Sequence, residues 1–297
     1  MRPQLRDRLT LLFFLAPALA FVLVFIAFPI AFSGYLSLTK YNYAIDKAPT
    51  FIGLVGYFRT VVSDGFFRTA LFNQLEFAVA YVIITFVVSL AVAIMINELR
   101  HGVHFLQAIF YLPMIVPLSL VGITFAWILD PNFGIFNTLL HALGLQTRPV
   151  DWFGDPTTAI FAIVAAQSWK MIGFALIIFI AGLQGISSEL REAARIDGAN
   201  FFQETTRVVL PLLRPYLLIG SIWILIDSLK VFDIPRVVTK GGPGVSTLTL
   251  YLYSWRLAFQ RLEMGRASQV AYLTAAIILL LSWGLNRLFR PEVAQRA

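Results

Sequence analysis

The sequence predicts an all-α membrane protein with six transmembrane helices, a reading carried by its composition and by the length of its apolar runs. Of its 297 residues 59% are apolar and only 13% charged, and the mean hydropathy is +0.79. A soluble domain carries about 25% charge, so a chain this poor in charge places most of its surface in lipid. Six stretches meet the roughly 20 apolar residues that a helix needs to cross a bilayer. No internal repeat or low-complexity linker separates them, so residues 1–297 read as one transmembrane domain.

The first span, about 9–38, follows Arg2, Arg6 and Arg8. It contains Ala18-Leu19-Ala20, a triplet open to signal peptidase, yet the apolar run continues through Phe28 as in an uncleaved anchor. An outer loop from Thr39 to Glu76, with Pro49, Gly53, Gly56 and Gly65, leads to the second span at 77–96. The third, 105–129, enters a loop punctuated by Asp130-Pro131, Gly134, Gly144 and Asp155-Pro156. Spans at 159–182, 212–232 and 269–288 complete the set. The last outer loop carries Thr239-Lys240-Gly241-Gly242-Pro243-Gly244, a tight turn that needs positive φ at its glycines and on physics alone is a rigid corner.

An even number of spans puts both termini on one side. Lys and Arg divide almost evenly between the two faces, and the three arginines ahead of the first span favour a cytoplasmic N-terminus, because the first helix usually dominates orientation. The excess of Lys and Arg over Asp and Glu, 23 to 16, is scattered between apolar runs, which suits anionic lipid and not nucleic acid. Trp127, Trp152, Trp169, Trp255 and Trp283 lie in or near span ends and read as interface anchors.

Several chemistries are excluded. With no cysteine there is no thiolate metal site, cysteine nucleophile or disulfide. His101, His104 and His141 are isolated, without the spacing of a metal site. No Gly-x-x-x-x-Gly-Lys-Ser/Thr stretch cradles a nucleotide, and no hydrolase signature is present, so the chain is not read as an enzyme.

The inner loop at 187–211 is more specific. Ser187 or Ser188 caps a helix with Glu189 in its first turn, and Leu190, Ala193, Ala194 and Ile196 share or flank one face. Gly198 supplies the left-handed residue that ends it. Asn200 and Gln203 form a capping box for a second short helix, which Pro211 leads into the fifth span. Glu98 with Arg100, on the preceding inner turn, reads as a solvated cap.

Glu192-Ala193-Ala194, then Gly198, then Val208-Val209-Leu210-Pro211 at this spacing resembles the EAA signature of ABC importer permeases, with Val208 where Ile is usual. The resemblance covers nearly the whole chain: Leu15-Ala16-Pro17, Phe28-Pro29, Phe51-Ile52-Gly53-Leu54 with Tyr57, and Phe232-Asp233 before the Gly-Gly-Pro corner. Gly56 stands where Asn is usual. The family is that of the maltose-type or glycerol-phosphate-type binding-protein-dependent permeases, and the chain is similar to the six-helix core of the first of the two permeases in such systems.

That resemblance implies a subunit of an ATP-driven importer in a bacterial or archaeal cytoplasmic membrane, with both termini cytoplasmic. Its partners would be a second, different permease, two ATPase subunits that use ATP and Mg, and an extracytoplasmic solute-binding protein; the chain itself would bind no cofactor. Glu192, Ala193, Ala194, Asp197, Gly198, Leu210 and Pro211 would form the coupling segment. Gly241, Gly242, Pro243 and Gly244 would face the binding protein. Position within the spans carries the sugar pathway onto Gln167, Met171, Phe174, Asp227, Ser228 and Val231.

Lys170, Asp227 and Lys230 are the ionisable residues nearest the span interiors, which by default mark function. Two readings of Lys170 and Asp227 stay open: contact with substrate, where an unpaired Lys170 would suit a phosphorylated polyol, or a structural ion pair with each other or with the partner. The alternative for the whole chain is an ion-coupled secondary transporter, for which Asp227 is the best-placed relay.

Overall fold

The computed structural model describes residues 5–99 and 101–289, for 5–12, 288 and 289 the backbone alone. Arg2, Arg100, Arg290 and Arg296, and the side chains of Arg6 and Arg8, on which the expected orientation rests, lie outside the described residues. The chain forms two compact units. The first takes the residues up to Asp64 together with Tyr253–Leu273, and the second takes Gly65–Leu252 and the chain from Thr274.

In the first unit α1 (Leu5–Val22) passes through a wide π turn (Leu23–Ala27) into α2 (Phe28–Ser37). The Phe28 amide donates to the Leu23 carbonyl, directly before Pro29. Proline has no N–H and its ring presses on the carbonyl four residues back, so a wider turn relieves the clash without breaking the span. Two short strands, β1 (Thr39–Lys40) and β2 (Thr50–Phe51), pair antiparallel, and α3 (Val55–Ser63) follows. Thr60 Oγ1 donates to Gln269 Oε1 at 3.0 Å, and a Cβ on Gly56 would lie 2.2 Å from Gln269 Nε2. The Gln269 amide therefore fills the space a side chain at 56 would need.

The second unit is built around α8 (Ala159–Gln184), which packs on α4 (Gly65–Asn97), α5 (Val103–Ile115), α6 (Leu118–Ile128) and α11 (Leu210–Leu229). Small residues bring these helices close. A Cβ on Gly173 would fall 2.0 Å from the Phe110 carbonyl oxygen, and one on Gly220 would fall 2.5 Å from the Phe179 ring. Ala166 and Ala175 are fully buried, and Phe77, Tyr81, Leu176, Phe179 and Ile224 fill the core between them.

Five helices are long and apolar enough to cross a membrane: Phe13–Ser37, Gly65–Asn97, Ala159–Gln184, Phe201–Leu229 and Met264–Arg287. The third expected span differs. Residues 105–129 are not one helix but α5 and α6, bent by 101°. Val116, the residue before Pro117, is extended (φ −71°, ψ 130°), as the proline ring requires, and the helix restarts after it.

Two boundaries also move. Residues 65–76, expected in the first outer loop, are the opening of α4; its 33 residues at 1.5 Å each exceed a hydrocarbon core of roughly 30 Å. Fifth-span helicity begins at Phe201, because α10 (Phe201–Glu204) runs through a second π turn (Thr205–Val209), again just before a proline, into α11. That helix ends at Leu229, so Lys230 is its exposed C-cap and not an interior residue. The loop helices α7 (Ile135–Ala142) and α12 (Leu250–Phe259) precede the last long helix, α13 (Met264–Phe289).

Candidate functional site

Helix α9 (Ser188–Ile196) has the expected local chemistry. Ser187 Oγ accepts from the Glu189 amide at 3.2 Å, and Glu189 lies in the first turn, where the helix dipole favours an acid. Gly198 has φ +85°, and the Asn200–Gln203 capping box is closed in both directions. The outer face of α9 is open: Ile196 is 86% exposed, Leu190, Glu192 and Ala193 are exposed, and Glu192 makes no ion pair or hydrogen bond among the described residues.

Its other face is held by charge. Arg191 Nε and Arg195 Nε donate to the two carboxylate oxygens of Glu204 at 2.6 and 2.7 Å, and Arg191 Nη2 also donates to Glu98. Glu98 is thus an ion-pair partner and not the solvated cap that sequence proximity to Arg100 indicated. At Arg195 the hydrogen bond to Glu204 raises the guanidinium above its ordinary pKa. At Arg191 burial pulls the other way and is outweighed by Glu98 and Glu204.

Inside the spans a polar cluster joins three helices. Tyr81 Oη donates to Asp227 Oδ2 at 2.5 Å, and Gln167 Nε2 donates to the same oxygen at 2.9 Å. Lys170, one turn along α8 from Gln167, donates instead to the carbonyl oxygens of Met114 and Val116, at 2.7 and 2.5 Å. Lys170 and Asp227 therefore do not pair directly. Phe174 packs edge-on to Trp223, with ring centroids 5.7 Å apart. Gln167, Met171, Ser228 and Val231 are buried within the chain.

The opening of α4 reaches the far end of this cluster. Gln74 Nε2 donates to the Ser228 carbonyl at 2.7 Å, and Asn73 Nδ2 donates to the carbonyls of Val245 and Leu248. Asn73 and Gln74 escaped sequence reasoning because they were assigned to a loop. Tyr81 escaped it as one more aromatic in an apolar run, and Glu204 because its partners lie on another helix.

The Gly-Gly-Pro corner is tightly braced. Gly241 and Gly244 have positive φ, while Gly242 instead precedes Pro243 through a cis bond. Thr247 Oγ1 donates to the Gly242 carbonyl at 2.6 Å and lies 2.6 Å from Thr239 Oγ1. In the loop between α6 and α8 Trp152 Nε1 donates to Asn137 Oδ1 at 3.1 Å, which makes it a fastening of that loop. Among the described residues no group of His, Asp or Glu has the arrangement of a metal site.

Residues 102–293 match the family described as "Binding-protein-dependent transport system inner membrane component". The chain is 36% identical over 263 residues to the trehalose/maltose transport system permease protein MalF of Thermococcus litoralis, a match covering 89% of this chain and 88% of the other. It is 31% identical over 289 residues to the sulfoquinovosyl glycerol transport system permease protein SmoG of Agrobacterium fabrum, covering 97% and 93%. Its fold matches a chain in the crystal structure of a bacterial alginate ABC transporter in complex with an alginate pentasaccharide-bound periplasmic protein, with a TM-score of 0.80, 24% identity and coverage of 96% and 95%.

Proposed function

The chain belongs to the binding-protein-dependent transport system inner membrane components, and on that footing we propose how it works within a sugar-importing ABC transporter. It is a permease subunit embedded in the inner membrane by several apolar helices. Family membership displaces the ion-coupled alternative. Both termini are cytoplasmic, and a second, different permease completes the path. The complex holds two ATPase subunits, one of which docks on α9, and an extracytoplasmic binding protein delivers a sugar or sugar derivative near the Gly241–Gly244 corner.

One observation carries the coupling role: α9 presents an exposed apolar face with Glu192 on it, while Arg191, Arg195 and Glu204 of the same loop are engaged within the chain. Glu192 makes a charge-assisted contact with the ATPase, Ala193 and Ala194 allow close approach, and Asp197 and Gly198 set the exit angle. Leu210 and Pro211 carry that angle into α11. ATP and Mg act in the partner, and this chain holds neither.

Sugar passes beside Asp227 and Phe174, which are only half-buried, with Gln167, Met171, Ser228 and Val231 supporting them from within. Lys170 faces its own chain's carbonyls, so an anionic substrate gains nothing from it in this arrangement.

The decisive experiment measures ATPase activity in nanodiscs for this chain assembled with its neighbouring permease and ATPase, with binding protein loaded from a panel of sugars. Stimulation should require loaded binding protein and be lost in Glu192→Ala. Failure to recruit any ATPase overturns the coupling reading. For the pathway, Asp227→Asn keeps an acceptor for Tyr81 and Gln167, so it should fold as the parent does while uptake falls on the order of tenfold or more, the worth of a hydrogen bond to a charged group. Unchanged uptake and preference would remove Asp227 from the sugar path.

A further inference from the structure

We infer that Glu98 is a positioning residue through which motion of α9 is delivered to α4, across a salt bridge to Arg191 that buried Glu204 holds in register. The inference rests on the reading of α9 as the ATPase-facing helix, and it adds a second route into the spans beside the covalent one through α10 and α11.

The backbone of α9 packs on α10 and the π turn of its own loop. Its tie to α4 is made by charge: Arg191 Nη2 to Glu98 Oε1, with Arg195 Nη2 3.6 Å from Glu98 Oε2. A narrow crevice beside this tie is lined by Glu98 and Arg191 themselves and by Ile94, Leu183, Ile186 and Val209.

Exposed ion pairs between flexible side chains are usually weak, because each must be ordered from many rotamers. Here that ordering is already achieved. Glu204 is 2% exposed and accepts both Arg191 Nε and Arg195 Nε, and because a guanidinium is planar, fixing Nε fixes where Nη2 points. The Glu98 carboxylate therefore meets a donor fork that is already oriented, one carboxylate bracing two arginines for the benefit of another.

Glu98 directly follows the end of α4, and the Leu99 amide donates to the Ile96 carbonyl at 3.1 Å, so its backbone continues the last turn. Along the same helix Ser89 donates to the Ile172 carbonyl, Thr85 to Ser168 Oγ and Tyr81 to Asp227. A displacement of α9 would pull on a rod whose other polar contacts grip α8 and α11 beside the proposed sugar path.

Spatial continuity alone does not demonstrate coupling, so the test must restore the connection as well as remove it. In the full complex in nanodiscs, Glu98→Gln should assemble and keep basal ATPase activity while stimulation by loaded binding protein falls about tenfold. The chain has no cysteine, which permits Glu98→Cys with Arg191→Cys. This pair should be impaired until bridged by a short bis-methanethiosulfonate spacer, and stimulation and uptake should return on bridging. A merely structural role would lower thermal stability in both variants and would not respond to the spacer. Parental stimulation in Glu98→Gln, or an assembled and bridged pair that stays uncoupled, overturns the inference. Failure of the parental chain to recruit an ATPase would strike the coupling reading itself.

Discussion

Lys170 of α8 caps the break between α5 and α6: its ammonium donates to the carbonyls of Met114 and Val116, on either side of the last residue of α5. A helix that stops inside a membrane leaves carbonyls that lipid cannot satisfy, and non-helical backbone there survives only when protein supplies the missing partners. The charge that looked expensive in an apolar run is the partner that makes the 101° bend tolerable.

Lys170→Met should therefore destabilise the protein by about 1–3 kcal/mol, the usual penalty for stranding buried acceptors. Lys170→Arg should recover part of it. Thermal unfolding of the purified protein in nanodiscs checks this, and an unchanged midpoint in Lys170→Met would show that water or lipid headgroups satisfy the break.

At the corner after α9 the backbone, and not space, is restrictive. Gly198 has φ +85° and open space where a Cβ would project, so the obstacle to a side chain is the left-handed conformation. Gly198→Asn, which tolerates that region, should keep ATPase co-purification. Gly198→Val, which resists it by about 1–2 kcal/mol, should lose much of it. Equal behaviour of the two variants would show that the exit angle of α9 is unimportant.

The Gly56–Gln269 contact predicts a compensating pair. Gly56→Asn forces a side chain onto the Gln269 amide and should destabilise by about 1–3 kcal/mol, as overpacking does. Adding Gln269→Ala opens the space, and the double variant should be more stable than Gly56→Asn alone. Additive losses in the unfolding midpoint would mean that the two sites do not share that volume.

Tyr253 Oη donates to Asp64 Oδ2 at 2.6 Å, and Arg266 Nη2 reaches the same carboxylate at 2.8 Å. Burial, then the hydrogen bond and charge of Asp64, push the Tyr253 phenol well above its ordinary value of 10.0. A raised folded value means that the folded state holds its proton after the unfolded chain has released it. The associated stability is complete below about pH 10 and is lost as pH rises through the folded value. The ultraviolet titration difference between parent and Tyr253→Phe should show no phenolate from Tyr253 at about pH 10, where an ordinary tyrosine is half ionised. A half-ionised signal there would place the hydroxyl in water.

What could be read from the chain itself was local. Run length located the apolar spans, and the caps Ser187, Gly198 and Asn200 placed the corner around α9, because each acts within a few residues of its partner. The register of Glu192, Ala193, Ala194 and Gly198 carried the family resemblance for the same reason, since that signature lies within one short stretch of chain.

Tertiary structure alone decided where the polar side chains go. Asp227 chose Tyr81 and Gln167, which lie 146 and 60 positions away, and Lys170 chose carbonyls at the end of α5. Glu98, read from the sequence as a solvated cap, found Arg191 across 93 positions. A long side chain in an apolar span can reach several helices, and its partner is set by which backbone groups are left unpaired once the helices have packed. The break at Pro117 leaves such groups only after α5 and α6 fold against α8, so no periodicity along the chain announces where Lys170 will bind.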